Sequence, residues 1–171
     1  MGGWRYRVQQ VWDRYRGAPL DYDARAWVEG ALTPAQRSVF YAQERADQHH
    51  AYTVARTLHD QGQRDPRLLQ AALLHDCGKA PGVSLPFRTL YVLASRFAPS
   101  WLEPLSPHES GWRAPLARAI HHPRLGAELA ARAGSSPDVV RLIAEHQEDR
   151  PDLPDELEPL HRALKRIDEQ T

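Results

Sequence analysis

The fold of this chain is set by Leu68-Leu69-Gln70-Ala71-Ala72-Leu73-Leu74-His75-Asp76-Cys77-Gly78-Lys79, an apolar run that ends in polar residues. The apolar part predicts a helix, and the two residues that follow it, His75 and Asp76, are of types that bind metal ions. Neighbouring residues on a helix point about 100° apart, so both reach one site only where the last turn opens, as Gly78 allows. By itself the pair is equally compatible with a capping arrangement.

The rest of the chain carries the same helical pattern. Apolar residues recur at three- and four-residue spacing, and alternating runs of Val, Ile and Thr are missing. This pattern predicts an all-α fold. Helix starts are marked by a capping residue before a proline at Thr33-Pro34, Asp65-Pro66 and Ser136-Pro137.

Helix ends are marked by glycines. Gly62, Gly78 and Gly134 follow periodic segments, where a left-handed residue is expected to close the helix. With these boundaries the predicted helices are 4–15, 22–31, 34–46, 48–61, 66–76, 84–98, 113–120, 122–133, 137–147 and 154–169.

The length of 171 residues fits a single domain, 1–171. We expect its core at about 34–170, with amino-terminal helices within 4–31. Residues 80–112 are rich in Pro, Ser and aromatics, and we interpret them as a lid-like insertion. Because this insertion leaves the His75-Asp76 helix and returns before His122, we expect it to border the site and select substrate. Its aromatic residues are expected to dock the insertion rather than stack on a substrate.

Charge and cysteine content exclude several classes of protein. The 22 basic and 22 acidic residues cancel, which removes the long-range field that draws proteins to nucleic acid or to an anionic membrane. Cys77 is the only cysteine, so no intrachain disulfide forms, and we expect it to pack in the core. The longest apolar stretches fall far short of the roughly 20 residues that cross a bilayer. We therefore expect a cytoplasmic protein with neither a membrane nor a nucleic-acid partner.

Four more residues of ligand type fall on the apolar stripe of their own predicted helix. Burying a polar group without a partner costs several kcal/mol, so repeated inward placement predicts mutual partners. A shared metal cluster provides them. The candidates are His50 beside Val54 and Leu58, His122 before Leu125 and Leu129, His146 after Leu142 and Ile143, and Asp168 after Leu160 and Leu164.

The identity of the metal and the register of the ligands stay open at this point. Imidazole and carboxylate ligands without Cys favour Fe, Mn or another transition metal, with Mg or Zn also compatible. An assignment shifted by one position, to His49 or His121, is compatible with the sequence. We expect the remaining histidines, His59, His108 and His161, to lie on the surface or behind the ligands.

Taken together, these segments resemble the HD-domain superfamily of metal-dependent phosphohydrolases. The resemblance spans about 50–168 and implies an HD-type helical bundle. The His-Pro-x-x-Gly-Ala stretch is similar to the binuclear, HD-GYP-like branch, although Gln147 replaces the second His of that branch's pair and the Gly-Tyr-Pro signature is absent. The segments that carry the resemblance are His50–Ala55, Ala72–Lys79, His122–Ala127, Ile143–His146 and Leu164–Asp168.

The resemblance also implies a ligand set and a mechanism. The first His, the His-Asp pair and the last Asp of the family hold one divalent ion, and the two intervening histidines add a second. Asp76 is then the bridging carboxylate, and a water held between the two ions is the nucleophile. The implied metal ligands are His50, His75, Asp76, His122, His146 and Asp168.

The activity implied is hydrolysis of a nucleotide or another small phosphorylated substrate. Lys79 and Arg45 are candidates for phosphate contacts beside Asp76, because one follows the pair and the other precedes His50 by more than a helical turn. Lys79 is equally compatible with capping a helix end, and Arg45 with a solvated face. Two other functions fit the same ligands: a di-iron oxygenase of the HD type, and a non-catalytic nucleotide sensor. Substrate identity and oligomeric state are not encoded in any pattern that we find.

Overall fold

The computed structural model describes residues 18–79 and 114–171, with the backbone alone from 114 to 119. The predicted helices 4–15 and 84–98, the insertion at 80–112 and His108 lie outside the described residues. In the described part, no helix is long and apolar enough to cross a membrane.

Seven α-helices and one short 3₁₀ helix make up the described part of the chain, which contains no strand. This confirms the all-α prediction. The 3₁₀ helix, Cys77–Lys79, directly follows the His-Asp pair. The α-helices are α1 (Tyr22–Ala31), α2 (Pro34–Tyr41), α3 (Arg45–Asp60), α4 (Pro66–Leu74), α5 (Ala114–Arg132), α6 (Pro137–Glu145) and α7 (Glu158–Asp168).

The predicted helix starts follow from capping chemistry. The hydroxyl of Thr33 accepts from the amide of Gln36, whose side chain accepts from the Thr33 amide in return. Asp65 and Ser136 accept from amides in the first turns of α4 and α6. Each cap satisfies an amide that has no partner within its helix.

Several predicted helix boundaries differ from the structure: the helix predicted at 48–61 begins at Arg45, the one predicted at 154–169 begins at Glu158, and two larger differences have clear causes. The predicted helix 34–46 ends at Tyr41. The side-chain amide of Gln48 donates to the backbone carbonyls of Tyr41 and Gln43. The side-chain amide of Gln43 donates to the backbone carbonyl of Phe40. These contacts replace the next helical turn. The predicted helices 113–120 and 122–133 are one helix, α5, with Pro123 inside it. A proline removes one helical hydrogen bond, but here α5 continues along both the 3₁₀ helix and α6.

At the centre of the bundle lies α4. It contacts α1, α2, α3, α6 and α7. Every residue from 71 to 78 is buried, so the helix is enclosed on all sides. The His-Asp pair therefore follows directly from the innermost helix, and its surroundings are fixed by the main core.

Gly78 has a different role from the predicted one. Gly62 and Gly134 adopt left-handed conformations with φ of 89° and 77°, as expected at helix ends, but Gly78 does not. Instead, a Cβ on Gly78 would overlap the carbonyl oxygen of His122. The absence of a side chain lets α5 approach the 3₁₀ helix, and this approach brings His122 close to Asp76.

Candidate metal centre

Six side chains of metal-ligand type converge at one end of the bundle. The structure brings together all six of the predicted ligands, and five different helices position them. The residues are His50 on α3, His75 and Asp76 after α4, His122 on α5, His146 after α6, and Asp168 at the end of α7.

The contacts within the cluster are short. Nε2 of His50 lies 2.8 Å from Oδ1 of Asp168, and Nε2 of His75 lies 3.2 Å from the same oxygen. On the other side, Nε2 of His122 lies 3.2 Å from Oδ1 of Asp76. The ring of His146 lies between those of His75 and His122, with centroids 5.1 and 5.2 Å away.

Three overlapping groups within this cluster have ligand atoms close enough to share an ion. In each group the ligand atoms all lie within 4.8 Å of one another. Asp76 belongs to a group with His50 and to another with His122, so its carboxylate faces both halves of the cluster. The groups are His50, His75 and Asp76; His75, His146 and Asp168; and Asp76, His122 and His146.

The two histidines at helix ends share one geometry. Nδ1 of His75 lies 2.9 Å from the carbonyl of Ala72, and Nδ1 of His146 lies 2.8 Å from that of Ile143. A carbonyl oxygen only accepts, so Nδ1 donates in both cases and Nε2 is the nitrogen left to act as a ligand. Metal-binding histidines are commonly oriented in this way.

His146 provides the test of whether a metal ion fits. Its Nε2 has no hydrogen-bond partner in the part of the chain that the structure describes, and the residue is 1% exposed. A buried polar atom without a partner costs about 1–3 kcal/mol. An ion beside the two carboxylates would supply the missing partner, and imidazole with carboxylate is a donor set for divalent ions. The residues therefore fit a metal site.

The charges within the cluster differ sharply between neighbours. Burial lowers the pKa of His75, but the charges of Asp76 and Asp168 outweigh burial and raise this pKa to about 9. Burial, together with the positive charges of His75 and His122, lowers the pKa of His146 to about 3. His75 therefore carries a proton between two carboxylates, where a bound cation would take its place.

Both carboxylates are held in the ionised form. Burial raises the pKa of Asp76, but Lys79 and His75 outweigh it and hold this pKa well below its ordinary value. Burial likewise opposes ionisation of Asp168, whose hydrogen bonds from His50 and His75 hold its pKa well below the ordinary value. Two ionised carboxylates at one buried site are the charge pattern that a cation offsets.

The two predicted phosphate contacts are placed differently. Nζ of Lys79 lies 2.6 Å from Oδ2 of Asp76, with its side chain 22% exposed. Arg45 is the first residue of α3 and is exposed. Lys79 thus directly contacts the cluster and neutralises part of its charge.

The neighbouring residues favour the predicted ligand register. His49 points away, with Nε2 donating to the carbonyl of Ala18, whereas His50 contacts Asp168. His122 is fully buried and His121 is partly exposed. Cys77 is buried, as expected, and burial raises its thiol pKa to about 12.

His161 takes the second of the two positions expected for it, behind a ligand and not on the surface. It is 3% exposed, and its Nε2 donates to the carbonyl of Glu145 at 2.8 Å. Its position three residues before Leu164 and six before Ile167, both buried, was the available signal, because this spacing places it on the inner face of α7.

Comparison with known families places the whole cluster within one match. The sequence model of the HD domain matches residues 48–169, a range that includes all six residues. No curated protein and no solved structure matches the chain significantly.

Proposed function

Because this chain belongs to the HD domain family, we propose that it is a metal-dependent phosphohydrolase acting on a nucleotide or another small phosphorylated molecule. Members of this family are mostly metal-dependent hydrolases. One observation supports the proposal above the others. Among residues 18–79 and 114–171, Nε2 of His146 is buried without a hydrogen-bond partner, next to three other imidazoles and two carboxylates.

We assign the six side chains to two ions. His50, His75 and Asp168 would hold one ion and His122 and His146 the other, with Asp76 between them. Two of the ligand groups support this division, because Asp76 accompanies His50 in one and His122 in the other. The third group joins His146 to His75 and Asp168, at the boundary between the two halves. Six protein ligands exceed what one tetrahedral ion takes.

Bound divalent ions supply a nucleophile from water near neutral pH and offset the charge that develops on phosphoryl oxygens. The protein contributes orientation. The carbonyls of Ala72 and Ile143 fix the imidazole rings of His75 and His146, so little reorganisation is needed when ions bind. Lys79 lies at the partly exposed edge of the cluster beside Asp76, and this position supports a role for its ammonium group in binding a phosphate.

The proposal is tested by metal analysis and a substrate screen on the same preparation. Protein purified under reducing, low-oxygen conditions should contain about two divalent ions per chain and hydrolyse at least one class among phosphomonoesters, nucleotides and cyclic dinucleotides. Oxygen consumption with redox-active iron, without hydrolysis, would instead support the oxygenase. Metal binding without turnover of any kind would support the sensor.

A pair of matched variants connects activity to the cluster. Asp76→Asn keeps the shape of the side chain and removes its charge, so we expect hydrolysis to fall at least about 100-fold, together with metal content. Asp60→Asn is the control, because Asp60 is an exposed partner of Arg56 on α3, and such pairs contribute little. Hydrolysis by Asp76→Asn at the rate of Asp60→Asn would remove Asp76 from the mechanism.

A further inference from the structure

We propose that His161 and Lys165 form a clamp that positions His146 as a metal ligand, with His161 as its buried member. The inference rests on the proposed metal centre. These two residues, the α7 clamp, act through the backbone carbonyls on either side of His146.

The first observation concerns the end of α6. The last carbonyls of a helix have no partner within it and must be satisfied from outside. At this end the carbonyl of Ile143 accepts from the His146 ring itself, and the carbonyl of Glu145 accepts from His161 at 2.8 Å. This carbonyl also accepts from the backbone amide of Glu148 at 2.9 Å. His161 is buried and is the partner that ties the carbonyl to α7, so losing its donor releases the end of α6 from α7 at this point.

The second observation lies on the other side of His146. Nζ of Lys165 donates to the carbonyl of Gln147 at 2.9 Å. The carbonyls immediately before and after His146 are therefore both bound by side chains from α7. Two anchors around one residue restrict rotation of its backbone, and the imidazole moves with that backbone.

The third observation is the spacing along α7. His161, Lys165 and Asp168 stand at positions i, i+4 and i+7, which share one face of a helix. The helix that supplies the Asp168 ligand thus also holds the backbone of the His146 ligand. Both belong to one of the ligand groups, together with His75, so α7 sets the separation between two members of the same group.

The consequence for the metal centre is local. Within the described residues His146 has no hydrogen-bond partner at Nε2, so its ring is oriented by its Nδ1 contact, by its backbone and by packing between the rings of His75 and His122. Removing a partner behind a metal ligand commonly weakens metal binding about 10- to 100-fold. His161 acts as a positioning residue and not as a catalytic one.

The experiment compares four variants with the wild type. His161→Phe removes the donor and keeps a ring, His161→Gln keeps a donor, and Lys165→Met removes the second anchor. Arg162→Ala is the matched control, because Arg162 lies on the same helix and pairs only with the exposed Glu158 among the described residues. Binding of Mn²⁺ is measured by titration, and the imidazole ¹⁵N signals of His146 are recorded on metal-free protein.

We expect His161→Phe to weaken one Mn²⁺ site at least about 10-fold and to shift the His146 signals, with substantial recovery in His161→Gln. Arg162→Ala should match the wild type in both measurements. If His161→Phe fails to fold, Lys165→Met, which changes a partly exposed side chain, decides by the same two measurements.

Unchanged His146 signals and wild-type Mn²⁺ affinity in the folded clamp variants would overturn the inference. A wild type that binds no divalent ion would overturn the proposed function instead. In that case the His146 signals of the metal-free variants still decide whether the clamp positions the ring.

Discussion

Gly78 links packing to the metal centre at the scale of one residue. A Cβ at this position would overlap the backbone of His122 and Gly126 on α5. Backbone atoms do not rotate away as side chains do, so the two elements must separate. We expect Gly78→Ala to destabilise the protein by about 1–3 kcal/mol, as measured by urea unfolding, and to reduce metal content by moving His122 from Asp76.

Gly30 provides the control for this prediction. It lies in α1, and an added Cβ would project into open space. Gly30→Ala should therefore stabilise the protein by about 0.5–1 kcal/mol through helix propensity. Equal stability changes in the two variants would show that the α5 contact at Gly78 is not tight.

Four of the proposed ligands were predictable from sequence because each lies on the apolar face of its own helix. Polar side chains that face a core on several helices need one another as partners. The role of Gly78 was not predictable, because the carbonyl that excludes its side chain belongs to a residue 44 positions later. His161 was obscured for the same reason. Its partner is a backbone carbonyl on α6, and backbone groups leave no signature in the sequence.

At the scale of the elements, α4 is held by charges at its amino-terminal end. Asp65 caps the helix, and Arg67 pairs with Asp65 at 2.8 Å and with Asp138 on α6 at 3.0 Å. The hydrogen bond from Arg67 is the largest influence on Asp65 and lowers the pKa of its carboxyl. One arginine thus joins the start of the central helix to the start of α6.

This pair predicts a pH dependence with a defined sign. Since the folded pKa of Asp65 lies below its unfolded value of about 3.9, the ionised carboxylate stabilises the fold above pH 4 and loses this contribution as the pH falls. Asp65→Asn keeps a capping oxygen but has no charge to titrate. We expect it to be less stable than the wild type at pH 7, with the difference narrowing below pH 4 in urea unfolding.

Asp65→Ala separates the cap from the charge. At pH 7 its free energy of unfolding should be lower than that of Asp65→Asn by about 1 kcal/mol, the contribution that a helix cap typically makes. A stability difference between wild type and Asp65→Asn that stays constant from pH 7 to pH 3 would contradict the assignment of the charge effect to Asp65.

Helix boundaries could be predicted from sequence only where neighbouring residues in the chain determine them. The starts of α2, α4 and α6 were predicted because a cap and a proline are consecutive in the chain. The end of α2 depends on amides from Gln43 and Gln48 that reach back to its last turn. The continuity of α5 through Pro123 depends on packing against separate elements, which outweighs local propensity.

At the scale of the whole molecule, the metal centre joins five helices. Ions that bind only the folded state add to its stability, by about 2.7 kcal/mol at a concentration 100 times Kd. For a chain of this size that corresponds to a rise in Tm of about 5–10 °C. We expect this rise on adding Mn²⁺ to chelator-treated protein, followed by differential scanning calorimetry.

Two variants test whether both ions contribute. His122→Ala and His146→Ala should each lose one ion and keep part of the rise in Tm, because His50, His75 and Asp168 stay in place. A single ion at full occupancy, retained by both variants, would exclude the two-ion arrangement.

The hydrogen bond between His50 and Asp168 joins residues 118 positions apart in the chain. A nascent chain emerging from the ribosome presents His50, the His-Asp pair, His122 and His146 before the last carboxylate is synthesised. The ligands proposed for the first ion, His50, His75 and Asp168, come together only when α7 docks on α3, so this ion would bind after α7 has been translated.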